Sequence, residues 1–288
     1  MKRISIFFVV ILMVGVVIFY ALTQKKESGK NTILQTIAAT TYPSYYIASQ
    51  IAGSEFKIVN ISANAADAHD FEPTPQDIYT LKTADLALVS GVHLDDWALK
   101  VESNSSLDMS KQVKVDGNNP HYWMSFENLK LMSNVITKEL SDMNPAKASE
   151  FDANNKKFIS QIDAIAKEYD GLKECKNKNI FVSHDAFGYI SKPLGIKIIS
   201  VHENEHEHEE PSIAALGDSL KEAKQKNVKV VFYESDETKK VAELAAKELN
   251  VQTKLLFTLE AMPDKNKDFI AMLRENLNNL KEAMDCKK

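Results

Sequence analysis

No dense basic stripe runs through this sequence. With Lys2 and Arg3 set aside, 33 basic residues face 40 acidic ones, a net charge of −7, which argues against nucleic acid as a partner. No biased tract is long enough for disorder, and at 44% hydrophobic and 26% charged the 288 residues can bury at least one substantial core. Cysteine is scarce: Cys175 and Cys286 lie 111 residues apart, and whether they bond depends on a distance that the sequence does not encode. No H-E-x-x-H or comparable motif is present, so the alternative of a zinc-dependent hydrolase lacks a recognisable general base.

The N-terminus departs from this pattern. Lys2 and Arg3 precede an uncharged, almost wholly apolar stretch, Ile4 to Leu22, whose 19 residues reach about 28 Å as a helix, close to the hydrocarbon thickness of a bilayer. No A-x-A-like signal follows Tyr20, and no cysteine near Leu22 offers a site for a lipid. The pattern predicts an uncleaved anchor with its basic end inside, cleavage being the alternative. Either way the remainder is exported, to the cell surface or periplasmic space, where a disulfide is permitted.

After a polar leader the chain alternates short apolar runs with longer amphipathic segments. TILQTIAA, FKIVNIS, DLALVS and QVKV read as strands, and so do NIFVS, IKIIS, VKVVFYE and VQTKLLFT in a second series. Helical patterns separate them, which implies parallel βαβ units. The fold class is therefore α/β, with two lobes, each a mainly parallel four-stranded sheet flanked by helices, joined by one long backbone helix. The expected boundaries are 1–31 for the anchor and leader, 32–142 for the first lobe, 143–176 for the linking helix and 177–288 for the second lobe. In the linker Asn144 reads as an N-cap with Pro145 at the first helical position. Phe151, Phe158, Ile162, Ile165, Tyr169 and Leu172 form one apolar stripe, so this is a stiff connector and not a Gly/Ser tether.

Four candidate ligands fall just past predicted strands: His69 after FKIVNIS, His121 after QVKV, His184 after NIFVS and Glu260 after VQTKLLFT. Ligand crevices of open parallel sheets lie outside the carboxyl ends of the strands, so residues this far apart in sequence can converge. Three imidazoles and a carboxylate suit Zn²⁺, whereas Mn²⁺ prefers more oxygen donors. Spacing alone does not discard His93, which also follows a strand. The acids Glu237, Glu243 and Glu248 read as a solvated helical face.

Five segments, DAHDFEPTPQDI (67–78), PHYW (120–123), HDAFGYISKPLGI (184–196), EPS (210–212) and LFTLEAMPDKNKDFIAMLRENLNNL (256–280), occur in an order that resembles the zinc and manganese solute-binding proteins of ABC metal importers. The resemblance covers nearly the whole chain after Thr32. It implies two lobes about a metal cleft, ligands at His69, His121, His184 and Glu260, no enzymatic activity, a membrane permease as partner and a monomeric carrier. Members resembling manganese binders tend to carry a carboxylate where this chain has His184, so it looks like the zinc branch, close to the adhesin-like binders; manganese or iron uptake on the same scaffold is the alternative. The usual D-P-H of the family stands here as Asp67-Ala68-His69 and Asn119-Pro120-His121, departures beside two ligands. VHENEHEHEEPS, with His202, His206 and His208 among five glutamates, reads as an exposed loop that either gathers cations loosely or is merely acidic.

Overall fold

Asn179–Val182 reads NIFV and Leu86–Val89 reads LALV, runs with no polar alternation, which marks strands covered on both faces. The computed structural model describes residues 34–63, 65, 68–201, 213–262 and 267–286, and among these two sheets form. In the first, β1 (Thr36–Ala39), β2 (Lys57–Asn60), β3 (Leu86–Val89) and β4 (Ser106–Asp108) lie in the order β2-β1-β3-β4. In the second, β5 (Asn179–Val182), β6 (Lys197–Ser200), β7 (Val230–Tyr233) and β8 (Gln252–Leu255) repeat that order as β6-β5-β7-β8. Every pairing is parallel, with Ile37 opposite both Ile58 and Leu86, and Phe181 opposite Ile199 and Val231. The order reverses between β1 and β3 and between β5 and β7, so each lobe presents a crevice at the carboxyl ends of its strands.

The flanking helices of the first lobe are α1 (Tyr42–Ala52), α2 (Pro75–Thr83), the short α3 (Asp96–Leu99) and α4 (Phe126–Met143). The start of α2 is written in its sequence: Thr74 and Asp77 form a capping box and Pro75 takes the first turn. α5 (Ala148–Asp170) is the long connector, and α6 (Gly188–Leu194), α7 (Ile213–Gln225), α8 (Asp236–Leu249) and α9 (Phe269–Ala283) complete the second lobe. The whole predicted stripe of α5 and the turn after it, Phe151 to Leu172, is buried. Each such side chain contributes roughly 1.5–3 kcal/mol. Polar bonds tie α5 to both sides: Asn154 Nδ2 donates to the Ile51 carbonyl of α1 (2.9 Å) and the Tyr169 hydroxyl to the Leu273 carbonyl of α9 (2.7 Å). One apolar cluster runs from Ile37 through this stripe to Met284, so the lobes share a core.

Two expectations need correction. QVKV is not a strand: the fourth strand is the short, half-exposed Ser106–Asp108, and Gln112 ends a 3-10 turn. The alternation in QVKV has another cause. Val113 and Val115 pack against the core from a loop whose Lys114 backbone is held by the Asn128 amide, accepting at 3.0 Å and donating at 2.9 Å. Asn144 does not cap α5 with its side chain, because its backbone N–H closes α4 on Leu140 and Pro145 opens a 3-10 turn, Pro145–Lys147, before α5 begins.

The cysteine question, open in the sequence, is answered by a disulfide between Cys175 and Cys286, with Cα atoms 4.3 Å apart. It fastens the chain after α9 to the end of the connector. A closed loop of this length removes roughly 4–5 kcal/mol of unfolded-state entropy. The expected anchor at 4–22 and the His/Glu loop at 202–208 lie outside the described residues, and among those described no helix is long and apolar enough to cross a membrane.

Candidate metal centre

Each candidate ligand is held by its neighbours. His69 follows the buried Ala68 in a short turn, and Phe71, two residues on, rests against Trp97 with ring centres 6.0 Å apart. His121 opens a 3-10 turn whose Tyr122, Trp123 and Met124 are all buried. The Tyr122 hydroxyl donates to the Ser90 carbonyl (2.9 Å), and the Trp123 indole N–H crosses to the second lobe to donate to the Thr258 carbonyl (2.8 Å). PHYW is thus a plug that leaves His121 only 1% exposed at the cleft.

His184 emerges buried from the end of β5, the central strand of the second sheet, and Asp185 supports the turn behind it. A side chain on Gly188 would press on the Asp185 carboxylate at 3.0 Å. The Glu260 segment is pinned from both lobes. Asn276 pairs with Phe257 through bonds of 2.8 Å each way, and the Tyr42 backbone N–H of α1 donates to the Glu260 carbonyl at 3.1 Å. Between them Leu259 sits at φ +64, a left-handed conformation that costs a non-glycine residue of order 1 kcal/mol and persists only where surrounding contacts enforce it.

These anchors bring donors from three separate loops together. His69 Nε2 lies 3.1 Å from His121 Nε2, His121 Nε2 3.3 Å from Glu260 Oε2, and His69 Nε2 3.6 Å from the same oxygen. A tetrahedral Zn²⁺ with bonds of 2.0–2.1 Å would space its ligands about 3.3–3.4 Å apart, so the three separations have the scale of one coordination shell. The His184 ring stands beside this triad, its centre 5.2 Å from that of His121 and 6.3 Å from that of His69. His93 is elsewhere: its side chain is 73% exposed and engages Asp96 at 3.0 Å.

The tautomer of His121 follows from its partners. Asn119 Oδ1 receives the His121 backbone N–H (3.0 Å) and faces His121 Nδ1 (2.9 Å), while Asn119 Nδ2 donates to the Asp185 carbonyl (2.8 Å). A backbone N–H only donates and a carbonyl only accepts, so the amide has one orientation and His121 Nδ1 must carry the proton. Nε2 is left with its lone pair toward Glu260 and His69. Burial pushes the His121 pKa down to about 3, which keeps the ring neutral as metal ligation requires.

Inspection of the sequence missed Glu234. It follows β7, as the candidate ligands follow their strands, and its carboxyl receives the Ser183 backbone N–H (3.1 Å) and hydroxyl beside His184. Burial first, and the charge of Glu260 further, push its pKa up to about 8, so near neutrality it is mainly a protonated acid and not a further anion. The bond of Trp123 to the other lobe likewise has no signature in the sequence. Glu237, Glu243 and Glu248 are exposed, as expected of a solvated face.

The high-affinity zinc uptake system protein ZnuA of Bacillus subtilis (strain 168) is 26% identical over 278 residues, covering 86% of this chain and 87% of that protein. The zinc-binding protein AdcA of Streptococcus pyogenes serotype M3 (strain ATCC BAA-595 / MGAS315) is 26% identical over 322 residues; the match takes in 96% of this chain and 61% of AdcA, so the chain spans about three fifths of that longer relative. In structure the chain is similar to the laminin binding protein Lmb of Streptococcus agalactiae, described as bifunctional with adhesin and metal transporting activity. The TM-score is 0.81 at 26% identity, over 87% of this chain and 99% of that one. The family model for ZnuA, the periplasmic component A of a zinc-uptake complex, matches residues 37–283, and the chain belongs to that family.

Proposed function

We propose that this chain captures Zn²⁺ outside the cytoplasm, in a cleft between its lobes, and hands it to the permease of an ABC importer. His69, His121, His184 and Glu260 are the ligands. Residues 32–142 and 177–288 act as the two metal-holding lobes, 143–176 as their spacer, and residues 4–22 as the membrane anchor. The observation that carries this reading is the convergence of His69, His121 and Glu260 at separations of 3.1, 3.3 and 3.6 Å, from loops of both lobes. His184, buried against the first two rings, supplies the third imidazole. Such a nitrogen-rich set favours a borderline cation over Mn²⁺.

A competition titration of the purified protein tests this. Zn²⁺ should displace Mn²⁺ completely, and His121→Ala should weaken zinc binding more than about a hundredfold, beyond the usual cost of losing a partner that only orients a ligand. The same titration at pH 5 should give weaker binding than at pH 7 through His69 and His184, because imidazoles bind as neutral bases and burial already keeps His121 neutral at both values. Preference for Mn²⁺, or full zinc affinity in His121→Ala, would overturn the assignment.

A further inference from the structure

Asn119 does more than orient His121. Its loop, 116–119, belongs to the first lobe and meets the segment 185–192 of the second at several points. Asn119 Nδ2 donates to the Asp185 carbonyl at 2.8 Å. The Tyr189 hydroxyl, on α6, donates to the Asn119 carbonyl at 2.8 Å and accepts the Asp116 backbone N–H, also at 2.8 Å. Lys192, one turn further along α6, pairs with the Asp116 carboxylate. That ion pair is exposed and contributes little, whereas Tyr189 is half-buried and uses its hydroxyl both as donor and as acceptor. The clasp lies two residues before His121 and begins one residue after His184. Separating the lobes here breaks the bonds to Asp185, Tyr189 and Lys192, and so unfastens from the opposite lobe the side chain whose oxygen fixes the His121 ring.

Resting on the zinc-capture reading above, we propose that Asn119 is a positioning residue for His121 and, with Tyr189, an interlobe latch that sets how long zinc stays bound. One amide does both tasks because its two ends differ: the oxygen holds the imidazole and the nitrogen holds the opposite lobe. Aspartate at 119 keeps the first function and loses the second; alanine loses both. Phenylalanine at 189 removes the two hydroxyl bonds of the latch without touching a ligand.

The test is a chelator chase of the zinc-loaded full chain in stopped flow, with Co²⁺ absorption as a probe of ligand geometry. Tyr189→Phe should release zinc about three- to tenfold faster than wild type, the range for one or two hydrogen bonds, with an unchanged association rate and Co²⁺ spectrum. Asn119→Ala should alter the Co²⁺ spectrum, and Asn119→Asp should restore it. Tyr169→Phe removes a buried tyrosine hydrogen bond away from the clasp, so it should lower the melting temperature and leave release unchanged. Wild-type release from Tyr189→Phe, or equal acceleration by Tyr169→Phe, overturns the latch alone. An Asn119→Asp spectrum that matches Asn119→Ala overturns the positioning role. Wild-type protein that binds no zinc overturns the capture reading and the latch with it.

Discussion

In the first lobe the crevice between β1 and β3 is filled by Asp95, whose carboxylate accepts the backbone N–H groups of Ser90 (2.8 Å) and Gly91 (2.6 Å) and the Thr40 hydroxyl. In the second lobe the matching crevice, between β5 and β7, holds Glu234 against Ser183, with His184 as the next residue. The strand order is the same in both sheets, yet the first lobe closes its central crevice with a satisfied polar network and sends its histidines from loops after the outer strands β2 and β4. The second places a candidate ligand, His184, at the end of the central strand β5 itself. Equivalent topology therefore does not make the two crevices equivalent, although burial raises the pKa of the acid in each, Asp95 and Glu234. The second lobe is also fastened by the disulfide, and among the described residues the first has none.

The largest expected effect removes that fastening. Replacing Cys175 and Cys286 together by serine should lower stability by roughly 2–5 kcal/mol in chemical denaturation. A loss well under 1 kcal/mol would mean that the second lobe is braced as the first is. Next comes Asp95→Ala, which strips the acceptor from Ser90, Gly91 and Thr40 in a buried crevice and should cost about 3 kcal/mol. The urea midpoint measures it, and Glu234→Gln, which keeps an acceptor for Ser183, should cost far less at pH 5. The smallest effect depends on pH. Glu234 titrates near 8 in the folded chain against an ordinary 4.5, so its stabilising contribution is complete below about pH 4.5 and is lost as pH rises through 8. Between pH 7 and pH 9 the wild type should lose about 1.4 kcal/mol relative to Glu234→Gln. Parallel melting profiles across that interval would show that Glu234 is not held protonated near neutrality.

Much of the fold was legible because burial writes itself into the pattern. LALV and the IFV of NIFV are apolar since both faces are covered, and the α5 stripe repeats at helical spacing since one face meets the core. β4 was illegible for the opposite reason: an outer strand of three residues, Ser106–Asp108, needs no apolar face, while the valines beside it pack from a loop. The candidate ligands stood out through their place after strands. What put them at one point did not, since the hold of Trp123 on Thr258, the bond from Tyr42 to Glu260 and the left-handed Leu259 all join segments distant in sequence. The disulfide was hidden in the same way, because only the packing of α9 along α5 sets the distance between Cys175 and Cys286.

The most direct measurement is zinc K-edge X-ray absorption on the loaded protein in solution. Four nitrogen or oxygen donors near 2.0–2.1 Å, with the outer-shell scattering of three imidazoles, is the predicted result. A six-coordinate oxygen-rich shell, or fewer than two imidazoles, would contradict a zinc centre built from His69, His121, His184 and Glu260.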